Sequence, residues 1–317
     1  MALKLLRTWI TEACNASCAH CMNKTARETH FMAPLRFEQM CQFFSANGII
    51  KISLMGGEPT VHPYFSDICK IAQTYFQEVY VFTNGIRKDI LSHFHPRETD
   101  TIIYNFLFAD KWEDDTFLVN SNGKRIIDVV VDHNTDVTGT QLSLKKLIKS
   151  HAKNFEVQLV INNSINIFKF RERIASNISK VYDFLVNTYP SISTTFQCGA
   201  PLCFTFGLNL PPFIHRTICP EESILIDGNF NIRFCNIHTE KLIPLFYNDN
   251  IIPFRIVKNY IHIQNLKNQL KCLEKICANC LYYSTQCNGK CYISQDTIQT
   301  EDIIKNTDVL WLKQLNI

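Results

Sequence analysis

Short apolar runs alternate with longer segments in which apolar residues recur every three or four positions, across the first two thirds of the chain. The first pattern predicts buried strands and the second predicts amphipathic helices. The strand-like runs are 3–10, 49–54, 79–82, 102–108, 157–161 and 192–196, and the helix-like segments are 35–45, 64–76 and 141–151. Strands that alternate with helices favour a parallel sheet with right-handed crossovers, and so an α/β fold.

Two of the predicted helices carry a cysteine on their apolar face. Cys41 lies at helical spacing with Phe37 and Phe44, and Cys69 lies in the same way among the apolar positions of residues 64–76. A free cysteine in such a position behaves as a small hydrophobic residue. We therefore expect both thiols to be core residues and not metal ligands.

Residues 113–133 do not fit the alternation. Asn122-Gly123 stands between the apolar runs 116–119 and 126–131, and Asn-Gly between two such runs is a strong signal for a tight β-hairpin. We expect a hairpin inserted between the fourth strand and its helix, either as part of a substrate entrance or as a surface decoration.

Composition restricts the classes of function. The chain has 317 residues, of which 46% are hydrophobic and 19% charged, with a net charge of +3. The small net charge predicts no nucleic-acid partner. The chain has no run of 18 apolar residues, so we expect no membrane span. Fourteen cysteines without a secretion signal favour metal or redox chemistry in a reducing compartment, so we expect a cytoplasmic protein.

The most specific chemical pattern follows the first predicted strand. Cys14, Cys18 and Cys21 are spaced C-x3-C-x2-C, which differs from the C-x2-C-x2-C run of bacterial ferredoxins. Three thiolates can occupy three irons of a [4Fe–4S] cube and leave the fourth iron open to a small molecule. Zinc, which thiolates and histidine also bind, is the alternative for this motif alone.

Two further segments lie at predicted strand ends. Gly56-Gly57-Glu58-Pro59 follows the second strand, and Thr83-Asn84-Gly85 follows the third. Glycine at a strand end permits a close backbone approach, here expected to be toward a ligand.

These three segments, in this order, resemble the radical S-adenosylmethionine (SAM) superfamily. The resemblance implies a partial (β/α)6 barrel with its chemistry at the carboxyl ends of the strands, and a [4Fe–4S] cluster on Cys14, Cys18 and Cys21 that binds SAM. It implies reductive cleavage of SAM to a 5′-deoxyadenosyl radical. It also assigns SAM-binding roles to the following residues: Gly56, Gly57, Glu58, Pro59, His20 and Asn84.

The last third of the chain is rich in cysteine. Residues 198–291 hold nine of the fourteen cysteines, including the set Cys277-x2-Cys280-x6-Cys287-x3-Cys291. Upstream, Cys219 and Cys235 flank Asp227-Gly228 in a segment that predicts a β-hairpin. The arrangement resembles the SPASM extension of radical SAM enzymes, although the middle spacing is one residue longer than usual. Zinc is again the alternative.

The SPASM resemblance implies two auxiliary [4Fe–4S] clusters and two domains, 1–196 and 197–317. It places one cluster on Cys219, Cys235 and Cys291, with Cys203 as the expected fourth ligand and Cys198 as the alternative. The second cluster takes Cys277, Cys280 and Cys287. No cysteine follows Cys291, so its fourth position is expected from Cys272, with Asp296 or an open iron as alternatives.

By the same resemblance, we expect an oxidoreductase that modifies a ribosomally made peptide by oxidative cross-linking or a related reaction. The alternatives are dehydrogenation of a small alcohol or sugar, and formylglycine formation in a sulfatase. Only thirteen residues precede Cys14, so a leader-binding segment is expected on a separate protein. A flavodoxin or ferredoxin is the expected reductant, and the pattern identifies no catalytic acid or base.

Overall fold

A computed structural model describes residues 3–18, 21, 30–111, 122–151, 155–161, 170–196, 223–233 and 243–261. Within these residues, ten strands form one sheet in the order β10-β9-β8-β1-β2-β3-β4-β5-β6-β7. Strands β1 to β7 follow chain order and are all parallel, and β8 pairs in parallel with the other side of β1.

The strand bounds are β1 Leu5–Thr11, β2 Lys51–Gly56, β3 Glu78–Thr83, β4 Thr101–Asn105, β5 Lys124–Val131, β6 Glu156–Ile161, β7 Thr194–Phe196, β8 Ser223–Ile226, β9 Asn231–Arg233 and β10 Ile243–Pro244. The helices are α1 Pro34–Ala46, α2 Phe65–Tyr75, α3 Lys88–Leu91, α4 Val137–His151 and α5 Arg171–Thr188, and residues 254–261 are helical. A separate two-stranded ribbon joins β11 Phe246–Tyr247 to β12 Asn250–Ile251.

Strands β1 to β7 run in chain order, and right-handed crossovers between such strands place every connecting helix on one face of the sheet. That face holds the core. Alternate strand residues such as Leu54, Val81 and Ile127 belong there to the same hydrophobic core as the helix residues Phe37 and Ile178. The opposite face of the sheet carries the other, partly buried residues of the strands and forms the inner face of the barrel wall.

This architecture confirms the expected α/β class with a parallel-stranded partial barrel. Cys41 and Cys69 are fully buried in α1 and α2, as their spacing predicted. The expected hairpin around Asp227-Gly228 is also confirmed, since β8 and β9 are antiparallel and flank it. Among the described helices, none is long and apolar enough to cross a membrane.

The hairpin expected around Asn122-Gly123 is wrong. Its second arm is β5, a parallel strand between β4 and β6, and its first arm lies outside the described residues. Gly123 is needed for close packing: a Cβ there would lie 2.7 Å from Pro96 Cβ and 2.9 Å from the Asp100 carbonyl oxygen. The runs expected to be the fifth and sixth strands are therefore β6 and β7.

The fourth strand is shorter than the apolar run 102–108. It ends at Asn105, and Phe106–Lys111 forms a 3-10 segment. The Asn105 side-chain oxygen accepts the Leu107 backbone N–H at 3.1 Å, an Asx turn that draws the chain away from the sheet. Phe106 and Phe108 nevertheless pack against the core, which explains their apolar character.

Candidate cofactor site at the ends of the first three strands

The first two strands come unusually close where both end. A Cβ on Gly56 would lie 2.0 Å from the Thr11 carbonyl oxygen, and one on Gly57 would lie 2.3 Å from the Ala13 carbonyl oxygen. Gly57 N–H donates to the Thr11 oxygen, and Glu58 N–H donates to the Ala13 oxygen, both at 2.9 Å. The two glycines therefore let residues 56–58 pair with the chain that enters the cysteine loop, a protein–protein approach that the sequence did not reveal.

Glu58 is the hydrogen-bond centre of this region. Its carboxylate is almost completely buried. Oε1 accepts the Thr60 hydroxyl and the Thr83 hydroxyl, both at 2.7 Å, and the Thr60 N–H at 3.2 Å. Oε2 accepts the Asn84 N–H at 2.7 Å. The side chain thus fastens the 3-10 turn Pro59–Val61 to the end of β3.

Burial raises the pKa of Glu58, and the hydrogen bonds from Asn84, Thr60 and Thr83 oppose this only in part. Because the group is desolvated, each donor that faces it contributes more than it would in water. Thr60 and Thr83 were not singled out from the sequence. A hydroxyl residue two positions after the glutamate, and another just before Asn-Gly, is the signal that could have found them.

Asn84 connects the third strand to the cysteine loop. Its amide nitrogen donates to the Asn15 side-chain oxygen at 2.8 Å, and its own side-chain oxygen accepts the Ile86 N–H at 3.0 Å. Asn15 directly follows Cys14, so this contact fixes the start of the loop against the β3 end. Asn15 is a further residue that sequence reasoning missed.

The other side of the loop is held by the chain that returns to α1. The Thr11 hydroxyl donates to the His30 carbonyl oxygen at 2.9 Å, and Ala13 N–H donates to that hydroxyl at 3.0 Å. The turn between β8 and β9 also packs here, since a Cβ on Gly228 would lie 3.6 Å from Glu12 Cγ. The loop therefore begins between three separate segments of chain.

Cys14, Cys18 and Cys21 all carry free thiols at this strand end, with Cys14 exposed and the other two partly buried. Burial raises the pKa of Cys18, and the neighbouring Cys21, Cys14 and Glu58 raise it further. These effects on Cys18 indicate that Cys14, Cys21 and Glu58 all lie near its sulfur. Ionised thiolates so placed repel one another and require a cationic centre between them.

Zinc is the alternative occupant of these three cysteines. A mononuclear zinc site needs all its ligand atoms about 2.0–2.3 Å from a single ion, whereas an iron–sulfur cube is larger and is held by cysteine thiolates. Among the described residues, no three His, Cys, Asp or Glu side chains are grouped so that they could hold one metal ion, so the choice between the two rests on the sequence pattern.

Several predicted site residues lie outside the described residues. They are His20, Asp296 and all nine cysteines of the last third, namely Cys198, Cys203, Cys219, Cys235, Cys272, Cys277, Cys280, Cys287 and Cys291. The structure brings together Cys14, Cys18, Cys21, Gly56, Gly57, Glu58, Pro59 and Asn84 at adjacent strand ends. The sites of auxiliary clusters stay predictions.

Comparison with known families agrees with this geometry. Residues 10–105 match the radical SAM superfamily, a range that runs from the end of β1 to the end of β4 and includes the cysteine loop, the two glycines and Asn84.

Two curated relatives are each similar to part of this chain. A probable GTP 3′,8-cyclase of Pyrococcus horikoshii is 32% identical over 88 residues, which is 27% of this chain and 28% of that protein. The antilisterial bacteriocin subtilosin biosynthesis protein AlbA of Bacillus subtilis is 32% identical over 85 residues, or 26% of this chain and 19% of that protein. The chain thus spans less than a third of the length of the curated relatives that it matches.

Structural similarity covers much more of the chain than these sequence matches do. The crystal structure of Streptococcus suis SuiB bound to the precursor peptide SuiA superposes with a TM-score of 0.63, covering 92% of this chain and 72% of that one. The sequence identity is 12%, so this likeness shows a shared fold.

Proposed function

Since residues 10–105 form a radical SAM domain, we propose that this protein is an enzyme that cleaves SAM reductively and uses the resulting radical to abstract hydrogen from a peptide. The observation that carries the proposal is the cysteine loop, which is fixed by backbone and side-chain contacts beside Gly56, Gly57 and Asn84. When bound, a [4Fe–4S] cluster and SAM supply the electron and the radical.

The protein's own residues have separate tasks in this proposal. Cys14, Cys18 and Cys21 hold the cluster. The Gly56–Glu58 backbone offers polar groups toward the SAM amino group, and Glu58 keeps that backbone and the β3 end in place through its four hydrogen bonds. His20 is a further candidate contact. Pre-positioning of this kind lowers the cost of ordering the reactants.

A peptide substrate is supported by two features. The fold follows that of SuiB, a protein solved with a precursor peptide, over most of its length. The cysteines of residues 198–291 provide enough thiolates for two auxiliary clusters, which could accept an electron from an oxidised substrate. We further propose that one is held by Cys203, Cys219, Cys235 and Cys291, the other by Cys272, Cys277, Cys280 and Cys287. We also propose a cytoplasmic location and a flavodoxin or ferredoxin as reductant.

A nucleotide substrate is the second candidate, since the GTP cyclase and the bacteriocin biosynthesis protein are equally similar to this chain, at 32% identity. The match to the radical SAM superfamily covers the cysteine loop, Gly56, Gly57 and Asn84, and it is compatible with either substrate. It therefore supports the radical step without selecting the substrate.

Anaerobic reconstitution with iron and sulfide, followed by SAM and dithionite, tests the radical step. We expect 5′-deoxyadenosine from the wild-type protein and none from the triple variant Cys14→Ala, Cys18→Ala, Cys21→Ala. The buried-cysteine variant Cys41→Ala is the matched control, because it removes a thiol that lies in the core. Equal product from the triple variant would refute the proposed cluster ligands.

A further inference from the structure

A second polar group lies on the inner face of the sheet, on the flank opposite the cysteine loop. Asp128 is at the centre of β5, where the register places it directly between Asn105 of β4 and Gln158 of β6. Gln158 in turn pairs with Thr195 of β7. Four neighbouring strands therefore present a continuous polar row, Asn105–Asp128–Gln158–Thr195, at one height of the barrel wall.

The direction of this row follows from the strand pattern. Ile127, Val129 and Val131 of β5 are buried in the core that packs against the helices. Successive side chains of a strand point to opposite faces, so Asp128 faces the interior. The polar row lies between two apolar rows of the same face: Ile103 pairs with Ile126 on one side, and Val130 pairs with Val160 on the other.

One oxygen of the Asp128 carboxyl group lacks a partner in the described part of the chain. Its Oδ1 is buried from solvent and has no hydrogen-bond partner among the described residues. Desolvation raises the pKa of Asp128 to about 7. On the same face, the Lys124 ammonium forms an ion pair with the Glu156 carboxylate at 2.9 Å. A buried acceptor without a partner costs free energy, so it persists where another molecule supplies the donor.

The polar row lies at the same level along the strands as Asn84 of the proposed cofactor site. Phe82 pairs with Ile103 in the β3–β4 register, so Asn84 and Asn105, each two residues further on, lie at one level. Asp128 therefore faces the barrel interior at the level of Asn84, across two strand spacings of about 4.8 Å each. A molecule that extends from the SAM site into the barrel meets this row.

We infer that Asp128 and Gln158 form a subsite for one residue of an extended peptide, with the Asp128 carboxyl accepting the peptide N–H and the Gln158 amide donating to the C=O. In an extended chain, the N–H and C=O of one residue point to the same side, as they do in a hydrogen-bonded strand pair. An acceptor beside a carboxamide donor is complementary to that edge. This inference rests on the proposed peptide-modifying function, and it assigns Asp128 and Gln158 to substrate positioning.

The natural peptide is unidentified, so the test uses a mixture of deuterated peptides and follows the transfer of deuterium. The probe is a pool of tryptic peptides from uniformly deuterated bacterial protein, mixed anaerobically with reconstituted enzyme, SAM and dithionite in ordinary water. Deuterium in 5′-deoxyadenosine, read by mass spectrometry, reports abstraction from a peptide C–D bond. Retention of the pool by the SAM-bound enzyme on a filter reports binding without turnover.

We expect Asp128→Leu and Gln158→Leu each to lower both deuterium transfer and peptide retention about tenfold, the loss expected for one buried hydrogen bond. SAM affinity should change less than about twofold on the same scale. Asp128→Asn should restore most of the signal, because its carbonyl oxygen also accepts an N–H. Glu156→Gln, on the next strand and the same face, is the control and should match the wild-type protein.

Four outcomes would overturn the inference. Unchanged transfer and retention in both leucine variants would show that the row does not touch the peptide. Loss of SAM affinity in Asp128→Leu would assign the residue to the cofactor. Loss of transfer in Asp128→Asn equal to that in Asp128→Leu would show that the acidic proton, and not the acceptor, is required. Absence of deuterium transfer in the wild-type protein would instead refute the peptide substrate, and the subsite with it.

Discussion

At the scale of single residues, the proposed cofactor site is organised by the Glu58 carboxylate, which accepts hydrogen bonds from neighbouring protein groups. The GGEP segment in the sequence predicted Glu58 as a SAM ligand. The structure gives it four donors from Thr60, Thr83 and Asn84. Sequence alone could identify the residue but not this task, because its donors are brought together only by the pairing of β2 with β3.

Replacement of Glu58 by alanine should therefore destabilise the protein as well as weaken SAM binding. Two hydroxyls and two backbone N–H groups lose a buried acceptor. An unsatisfied buried group costs about 1–3 kcal/mol, so we expect a loss of roughly 2–4 kcal/mol in the free energy of unfolding. Denaturant unfolding of the apo protein measures it, with exposed Glu98→Ala as the control. An unchanged free energy of unfolding in Glu58→Ala would show that the Thr60, Thr83 and Asn84 donors bind water in place of the carboxylate.

Asp128 shows the opposite relation between sequence and structure. An ionisable residue inside the run Ile126-Ile127-Asp128-Val129-Val130-Val131 is a visible anomaly in the sequence. The Asn122-Gly123 signal nevertheless assigned this run to a surface hairpin, where an aspartate needs no explanation. Only the parallel pairing with both β4 and β6 reveals that the carboxyl faces the barrel interior.

At the scale of elements, contacts between strand ends fix the loop that precedes α1. Periodicity located β1, α1, α2 and β3 to within two residues, because their apolar faces are continuous. It could not locate the contact from Asn84 at the β3 end to Asn15 in the cysteine loop, which joins residues 69 positions apart. Contacts of this kind follow from strand order and leave no local pattern.

The Asn15–Asn84 contact should appear as a coupling energy. In a double-mutant cycle of Asn15→Ala and Asn84→Ala, we expect the two losses of unfolding free energy to be non-additive by about 1 kcal/mol. Asn15→Ala combined with Asn47→Ala is the control pair, because Asn47 bonds to Phe43 within the α1 C-terminus and should add independently. Additive effects in both cycles would mean that the contact does not hold the loop.

A second buried carboxylate joins the amino ends of β3 and β4. Asp100 accepts hydrogen bonds from the Val79 N–H, the Gln73 amide and the Arg97 guanidinium and N–H. Burial alone would raise the pKa of Asp100, but the bonds from Arg97 and Gln73 lower it overall. The ionised form is thus favoured by folding.

The contribution of Asp100 to stability should depend on pH in one direction. Because its folded pKa is depressed, the stabilisation is present above the unfolded pKa of about 3.9 and is lost as pH falls through the folded value. We expect Asp100→Asn to lose about 3 kcal/mol of unfolding free energy at pH 7, and the difference from wild type to shrink below about pH 4. A difference that stays constant down to pH 2 would contradict this origin.

At the scale of the whole molecule, the segment that matches the radical SAM superfamily, residues 10–105, belongs to a sheet that continues on both sides of it. Strands β5 to β7 extend the wall on one side, and β8 to β10 attach to the free side of β1. The segment between Cys219 and Cys235 thus reaches the base of the cysteine loop, as the close approach of Gly228 to Glu12 shows. Order along the chain could not predict that β8 returns to β1.

If both auxiliary clusters form as proposed, three cubes give about twelve irons per chain. The count in anaerobically reconstituted wild-type protein, measured with acid-labile sulfide, should be near that value. The triple variant at Cys14, Cys18 and Cys21 should retain roughly two thirds of the iron on the same reckoning.

The fourth ligand of the second auxiliary cluster is the sharpest part of this prediction. Cys272 stands five residues before Cys277, close enough for a short loop to bring both thiolates to one cube. Cys272→Ser should alter the electron paramagnetic resonance spectrum of one auxiliary cluster, leave SAM cleavage nearly unchanged and slow substrate turnover. Cys69→Ser, a buried core thiol, is the control for losing a cysteine elsewhere. A count near four irons in the wild-type protein would reject both auxiliary clusters. A count of about twelve irons, with no change in the spectrum of Cys272→Ser, would reject only this ligand. Asp296 or an open iron would then be the candidate for the fourth position.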